Sequence, residues 1–227
     1  MTPDVFDANK KKTVKKKRSK QVRDGQCKVD EYSEVMRAEK PSINPLNAFA
    51  PKPKHTTFDT QQSEEEVILL LRRHPITQLK QVLISLAIAA FPFIVGASPF
   101  LDFLPARFQF AMTVGWYLIL VGYVFESFLL WFFNVYIITD ERIIDVDFLS
   151  LIYKDVSSAK IDNIEDVTAS TGGFLASVVN YGTIKIQTAG EKTEFEFEDV
   201  PQPAKVTALL NELLLEEERE KIEGRVN

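Results

Sequence analysis

Cysteine is nearly absent. Cys27 is the only one, so no internal disulfide can form and the water-exposed parts need no oxidising compartment. Histidine is almost as scarce: His55 and His74 are the only two, and no Cys/His cluster has metal-ligand spacing. That excludes a structural zinc site and a His-based catalytic triad. Gly172-Gly173 resembles no phosphate-binding fingerprint, and the scattered Ser and Asp residues form no nucleophile-and-base constellation. Catalysis is therefore not expected, nor is a cofactor, a metal or a small-molecule substrate. The first apolar segment long enough for a signal peptide begins some eighty residues in, which is too late. Any membrane segment is expected to be retained.

What is present is unevenly distributed. The chain has 227 residues, with 26% charged and a net charge of -5. A mean hydropathy of -0.06 looks soluble, but that average hides three regions. Basic residues concentrate before Gln21, apolar residues between Val82 and Phe133, and acidic residues after Glu191.

Val82 to Leu101 reads VLISLAIAAFPFIVGASPFL, without a charge. At about 1.5 Å per residue it spans roughly 30 Å, the thickness of a bilayer's hydrocarbon core. Phe108 to Phe133 reads FQFAMTVGWYLILVGYVFESFLLWFF, with Glu126 as its one charge; it spans with some tilt or projects beyond the lipid. Core helices of soluble proteins rarely run apolar all round for this length. Residues 82–133 are thus predicted to form a two-helix transmembrane hairpin (82–101 and 108–133). The short Asp102 to Arg107 loop makes the helices antiparallel. Pro92 should kink the first helix, and Pro99 should mark its end.

Orientation follows from Lys and Arg near the ends. Arg72, Arg73 and Lys80 precede the first span, Arg142 follows the second, and only Arg107 lies in the loop. Both termini are expected in the cytoplasm, at a cell (inner) membrane, with Trp131 and Tyr136 at the inner interface. Glu126 sits about two turns from that end. It is expected to pair with Lys80, to meet water or to be protonated; a transport role is the functional alternative, because intramembrane acids often mark pathways.

Residues 1–62 lack sustained apolar periodicity and read as a disordered basic tail. Within it KKKTVKKKRSK carries Lys10, Lys11, Lys12, Lys15, Lys16, Lys17, Arg18 and Lys20. Such a run is drawn to anionic headgroups by about 1 kcal/mol per residue near the surface. No aromatic residue interleaves with the lysines, which weakens a nucleic-acid reading. Residues 63–81 read as an interfacial helical segment. Ser63 and Glu66 form a capping box, Glu64 and Glu65 favour the helix start, Val67, Leu70 and Leu71 make an apolar face, and Pro75 breaks the run.

From Asn134 the period changes. Val135 to Thr139 and Arg142 to Phe148 read as a hairpin closed at Asp140-Glu141. Leu151 to Asp155 and Ile161 to Val167 are further strand candidates. Thr183 to Thr188 and Thr193 to Glu198 alternate across a second hairpin turn at Ala189 to Glu191. Pro201 and Pro203 precede a helix from about Ala204 to Glu223, with Val206, Leu209, Leu210, Leu213 and Leu214 on one face and Gly224 as its stop. A meander followed by one amphipathic helix implies a bent sheet closed by that helix.

The order of these segments carries a resemblance. A Glu-rich start with HP (Glu65 to Pro75) and two spans come first. NVYIITDERII (Asn134 to Ile144), KIDNIEDV (Lys160 to Val167), NYGTIKIQTAG (Asn180 to Gly190) and FEDVPQP (Phe197 to Pro203) follow. From about Glu65 to Leu215 the chain resembles bacterial membrane proteins with a pleckstrin-homology-like (PH-like) domain. The resemblance implies that residues 134–227 form a cytoplasmic α+β barrel, two orthogonal antiparallel sheets capped by the C-terminal helix, beside the membrane α-helical hairpin. It also implies an adaptor that binds lipids, peptides or itself. Phosphoinositide-binding members carry bases around the first hairpin; here Asp140 and Glu141 stand there with Arg142 alone, so fold gives no support for that ligand.

Ser170 to Gly182 (STGGFLASVVNYG) presents Phe174, Leu175, Val178, Val179 and Tyr181. Either it plugs an end of the barrel or it touches lipid or another subunit; Lys154, Lys160 and Lys185 can add charge near a bilayer. The expected function is a non-enzymatic adaptor or scaffold that assembles with itself or with other membrane proteins at the cytoplasmic face. The alternatives are an anionic-lipid-binding or lipid-sensing module and an accessory subunit of a transport complex.

Overall fold

A computed structural model of the chain describes residues 29–53, 61–62, 65–96, 103–148, 150, 152–190, 192–222 and 224. Its strands form two antiparallel sheets. The first runs in the order β1 (Phe49–Pro51), β2 (Val67–Arg72), β3 (Val135–Thr139), β4 (Arg142–Phe148) and β5 (Lys154–Lys160). The second holds β6 (Ile164–Ser170), β7 (Tyr181–Thr188) and β8 (Glu194–Pro201). The α-helices are α1 (Val29–Tyr32), α2 (Glu34–Arg37), α3 (Leu79–Gly96), α4 (Ala106–Phe133), α5 (Phe174–Val179) and α6 (Pro203–Ile222).

The alternation in the sequence sets the core. In β7 and β8 the buried residues Ile184, Ile186, Phe195 and Phe197 face inward while Lys185, Glu194 and Glu196 stay exposed. Val206, Leu209, Leu210 and Leu213 of α6 recur at helical spacing and join the same core. The predicted PH-like arrangement of two antiparallel sheets and a C-terminal helix is therefore present. β7 passes beneath the start of α6 at Gly182, where a Cβ would lie 2.5 Å from the Ser170 carbonyl oxygen and 3.2 Å from Pro203 Cγ. Glycine is required there by space.

Several expectations are corrected. Residues 67–72 are not helical but a central strand: β2 pairs with β1 and β3, and Ile68 to Arg72 are all buried. A short apolar run covered on both faces has no period, so its sequence does not distinguish strand from helix. Ser63 and Glu64 of the expected capping box lie outside the described residues. The expected tail also ends early, because residues 29–52 fold onto the barrel. Val29 and Met36 are buried, Phe49 pairs with Leu71, and Lys52 is buried against Asp30 and the carbonyls of Met36 (2.6 Å) and Glu39 (3.2 Å). Ser33 caps α2 by accepting from Met36 N and also contacts Glu212 of α6. The strand expected at Leu151 to Asp155 starts at Lys154, and that expected at Ile161 starts at Ile164, after a 3-10 turn over Ile161–Asn163. Tyr136 is a core residue, 1% exposed and stacked on Phe197 with ring centroids 4.5 Å apart, so it does not sit at an interface with lipid.

The two long apolar helices interrupt the first sheet between neighbouring strands: β2 and β3 are antiparallel partners, with Leu71 opposite Tyr136 and Arg72 opposite Val135. The hairpin takes the place of a β-turn. Pro75–Gly96 and Ala106–Phe133 are long and apolar enough to cross a membrane by length and composition, and almost none of their residues is buried. Pro92 lies inside α3 as predicted; Pro99 falls outside the described residues.

Candidate functional site

On the α4 side the hairpin meets the barrel without a linker, whereas on the α3 side a 3-10 turn over Pro75–Gln78 intervenes. Asn134 alone separates α4 from β3. Its N–H donates to Leu130 O (3.2 Å), and its Oδ1 accepts from Phe148 N (2.5 Å) at the end of β4. The last carbonyls of a helix lack intrahelical donors. Arg72 Nε donates to one of them, Phe132 O, at 2.9 Å, with the guanidinium 4.7 Å from the Phe132 ring centroid. A cation at the helix C-terminus also opposes the macrodipole. Trp131 Nε1 donates to Arg73 O at 2.9 Å, and Arg73 pairs with Glu198 of β8 at 2.5 Å. Two arginines read from the sequence as charges near lipid are therefore engaged by the fold itself.

At the opposite end of the first sheet, Glu65 and Arg142 form a bidentate pair: Nε to Oε1 and Nη2 to Oε2, both 2.9 Å. The Glu65 side chain is wholly buried, and Thr139 Oγ1 also donates to it at 2.8 Å. Burial alone would raise its pKa, but the hydrogen bonds from Arg142, the Gln62 backbone and Thr139 hold it below the usual carboxylate value. Arg142, the lone base at the first barrel hairpin, is thus turned toward Glu65. That geometry adds to the argument against a phosphate ligand there.

Asp145 of β4 points inward beside Tyr136, its register partner. It is buried and pairs with Lys192 at 3.1 Å, while its Oδ1 has no hydrogen-bond partner. Burial pushes its pKa up to about 6, helped by Asp147 and Asp155 and opposed by Lys192. Among the described residues, no group of three or more His, Cys, Asp or Glu side chains is placed to hold a metal ion.

The sequence-predicted contact residues separate into three places. Lys10, Lys11, Lys12, Lys15, Lys16, Lys17, Arg18 and Lys20 lie outside the described residues. Phe174, Leu175 and Val178 stand on α5, which turns them outward at 82%, 59% and 66% exposure and buries Ala176 instead. The expected barrel plug is thereby excluded for these three, since a plug would cover them. Tyr181 is half-buried and stacks on His74, ring centroids 5.4 Å apart. Of the three lysines, Lys185 is held by Glu194 and Glu196 (3.3 and 3.6 Å), and Lys154 and Lys160 are exposed.

Glu126 is exposed on α4, and among the described residues no ion pair joins it to Lys80. Its neighbours in the sequence form a polar level across the hairpin: Tyr123 OH donates to Gln81 Oε1 (2.6 Å), and Gln78 Nε2 donates to Ser127 O (3.2 Å). A cleft of about 530 Å³ lies beside this level, lined chiefly by apolar groups including Leu86, Leu120, Val124 and Phe128. Sequence reasoning assigned Glu65 to a helix start and missed Asp145 and the exposed Ile152 and Tyr153 (96% and 67%). A charge within an apolar strand run was the available signal for Asp145.

The family model described as "Bacterial PH domain" matches residues 75–214, from the root of α3 through most of α6. It leaves out β1 and β2. Among solved structures, the chain is similar to a DUF1696 family protein with a pleckstrin-homology domain from Shewanella loihica PV-4. That similarity has 14% identity over 35% of this chain and 69% of the other, with a TM-score of 0.30. No curated protein sequence matches the chain. With the family match extending over more than half of its length, the chain belongs to the bacterial PH domain family.

Proposed function

We propose that this chain is a non-enzymatic adaptor, anchored in a cell (inner) membrane by α3 and α4, that assembles with itself or with other membrane proteins at the cytoplasmic face. The observation that carries the reading is the insertion of two exposed apolar helices between β2 and β3. Water around such helices would be unfavourable by about 25 cal/mol for each Å² of apolar surface, and lipid removes that cost. With no linker at Asn134, the barrel's surface is carried at a fixed place beside the hairpin. The excess of Lys and Arg on the barrel side supports a cytoplasmic position for that side and for both termini.

Two measurements test the reading. Alkaline carbonate should leave the full chain in the membrane pellet; release into a detergent-free supernatant would end the anchoring claim. The mass in mild detergent should exceed one copy, or crosslinking in native membranes should capture a membrane protein. A strict monomer without any crosslinked partner would end the adaptor claim.

A second reading, a module that senses or binds anionic lipid, draws on the basic run from Lys10 to Lys20. Flotation of the full chain with anionic vesicles, but not neutral ones, is its expected signature. Equal flotation with both, unchanged when the run is deleted, would remove it.

A further inference from the structure

Two apolar surfaces flank the root of the hairpin, one beside each helix. Next to α4, the Phe133 and Phe148 rings lie 5.6 Å apart, and the chain leaving β4 turns back through Ser150, where Tyr153 N donates to Ser150 O at 3.2 Å. That turn exposes Ile152 at 96% and Tyr153 at 67%. Next to α3, the His74 ring stacks on Tyr181, and the His74 backbone N–H donates to Asp199 O at 2.7 Å. Tyr181 follows directly on α5 through Asn180, whose φ of 59° lets the chain reverse. The two surfaces arise from different sheets, yet both adjoin the place where the hairpin leaves the barrel.

Their composition separates them from the far side. Thr171 to Gly182 contains no charged residue, and neither does Phe148 to Tyr153. The turns at the opposite ends of β3 and β5 carry Asp140, Glu141 and Asp162, drawn together where Ile161 N donates to Glu141 O at 3.1 Å. Large apolar groups thus stand at the hairpin root, where the nearest acids are the Asp147–Asp155 register pair beside Phe148 and, next to His74, Asp199. Exposed apolar surface continuous with a membrane-spanning segment suits the interfacial layer, where aromatic and amphipathic side chains concentrate.

We propose that Phe174, Leu175 and Val178 of α5, together with Ile152 and Tyr153, seat in the interfacial layer of the leaflet from which the hairpin emerges, holding the barrel against the lipid surface. This rests on the hairpin spanning the membrane as proposed above. The barrel then has one orientation, with the acidic end turned to the cytoplasm as the face open to partners.

Full-length protein in lipid nanodiscs tests this. In a Cys27→Ser background, single cysteines replace Ile152, Phe174, Leu118 (mid-hairpin) or Glu141 (acidic end), each carrying an environment-sensitive fluorophore. Spin-labelled lipids, with the label on the headgroup or on the acyl chain, act as quenchers. Labels at 152 and 174 should be quenched by the headgroup probe several-fold more than the label at 141. If the acyl-chain probe leaves Leu118→Cys unquenched, the anchoring reading falls and this inference with it. If Leu118→Cys is quenched but the labels at 152 and 174 behave like that at 141, anchoring stands and the lipid seat is overturned. Shielding of the 174 label without lipid quenching, confined to discs holding two copies, would assign the surface to a second copy and likewise overturn it.

Discussion

Trp116 of α4 donates its indole N–H to Ile88 O of α3 at 2.9 Å, and Ile88 is the residue whose carbonyl Pro92, four positions on, has no N–H to serve. The carbonyl left without a backbone donor by a proline in one helix is served by a side chain of the other. Tyr117 OH adds a bond to Ala89 O at 3.1 Å, and Phe91 stacks on Trp116 at 4.8 Å. In the lipid environment proposed for the hairpin no water can replace these donors. The pair therefore fixes both register and facing of α3 against α4.

Trp116→Phe keeps the ring and deletes the donor. We expect a loss of about 1–2 kcal/mol in reversible unfolding of the full chain in bicelles. Pro92→Ala restores a backbone N–H to Ile88 O, so in that background Trp116→Phe should cost less than half as much. Equal losses in both backgrounds would show that the indole serves packing alone.

Glu65 and Arg142 tie the start of β2 to the start of β4. Arg142→Ala leaves the Glu65 carboxylate buried with one strong partner gone, and a loss of about 3–5 kcal/mol is expected. Thermal unfolding of the detergent-solubilised chain measures it. A loss under about 1 kcal/mol, the value of an exposed pair, would contradict the burial described. Because the folded pKa of Glu65 is depressed, its contribution is present above the unfolded value near 4.3 and fades as pH falls below it.

Asp145 has the opposite sign. Its folded pKa of about 6 exceeds the unfolded value near 3.9, so the native state binds the extra proton between them. The stability it contributes is full below about pH 4 and lost as pH rises through about 6. Relative to Asp145→Asn, the wild type should gain roughly 1 kcal/mol on going from about pH 7.5 to about pH 5. Parallel pH profiles for the two proteins would refute this.

Glu126 stands near the polar level formed by Gln78, Gln81, Tyr123 and Ser127. α4, at about 42 Å long, exceeds a hydrocarbon core of about 30 Å, which leaves room for that level at the headgroups. Glu126→Gln should leave proteoliposome ion flux unchanged, and membrane insertion should be unaffected. A several-fold change in flux would revive the transport reading.

Much of the barrel was legible because its signals are local. The Asp140-Glu141 turn, the alternation in β7 and β8, and the 3.6-residue stripe of α6 each follow from side chains sorted to one buried face. β2 was not legible, since all of Ile68 to Arg72 is covered, on both faces and at both edges. Nor was the stretch from Val29 to Lys52, whose large buried apolar side chains, Val29, Met36 and Phe49, lie too far apart in sequence to show a period. The contact residues were found only in part: Phe174, Leu175 and Val178 were named from their apolarity, but that they face outward depends on Ala176 facing in.

Two long apolar runs, a change of period at Asn134 and the scarcity of Cys and His are properties of the chain itself; composition and periodicity determine them without reference to any partner segment. The placement of the hairpin between β2 and β3, the turning of Arg142 toward Glu65, and the gathering of Ile152 and α5 at the hairpin root were decided only by tertiary structure. The reason is that these join residues dozens of positions apart. Their energies come from desolvation and hydrogen bonding across strands, which no single stretch of sequence contains.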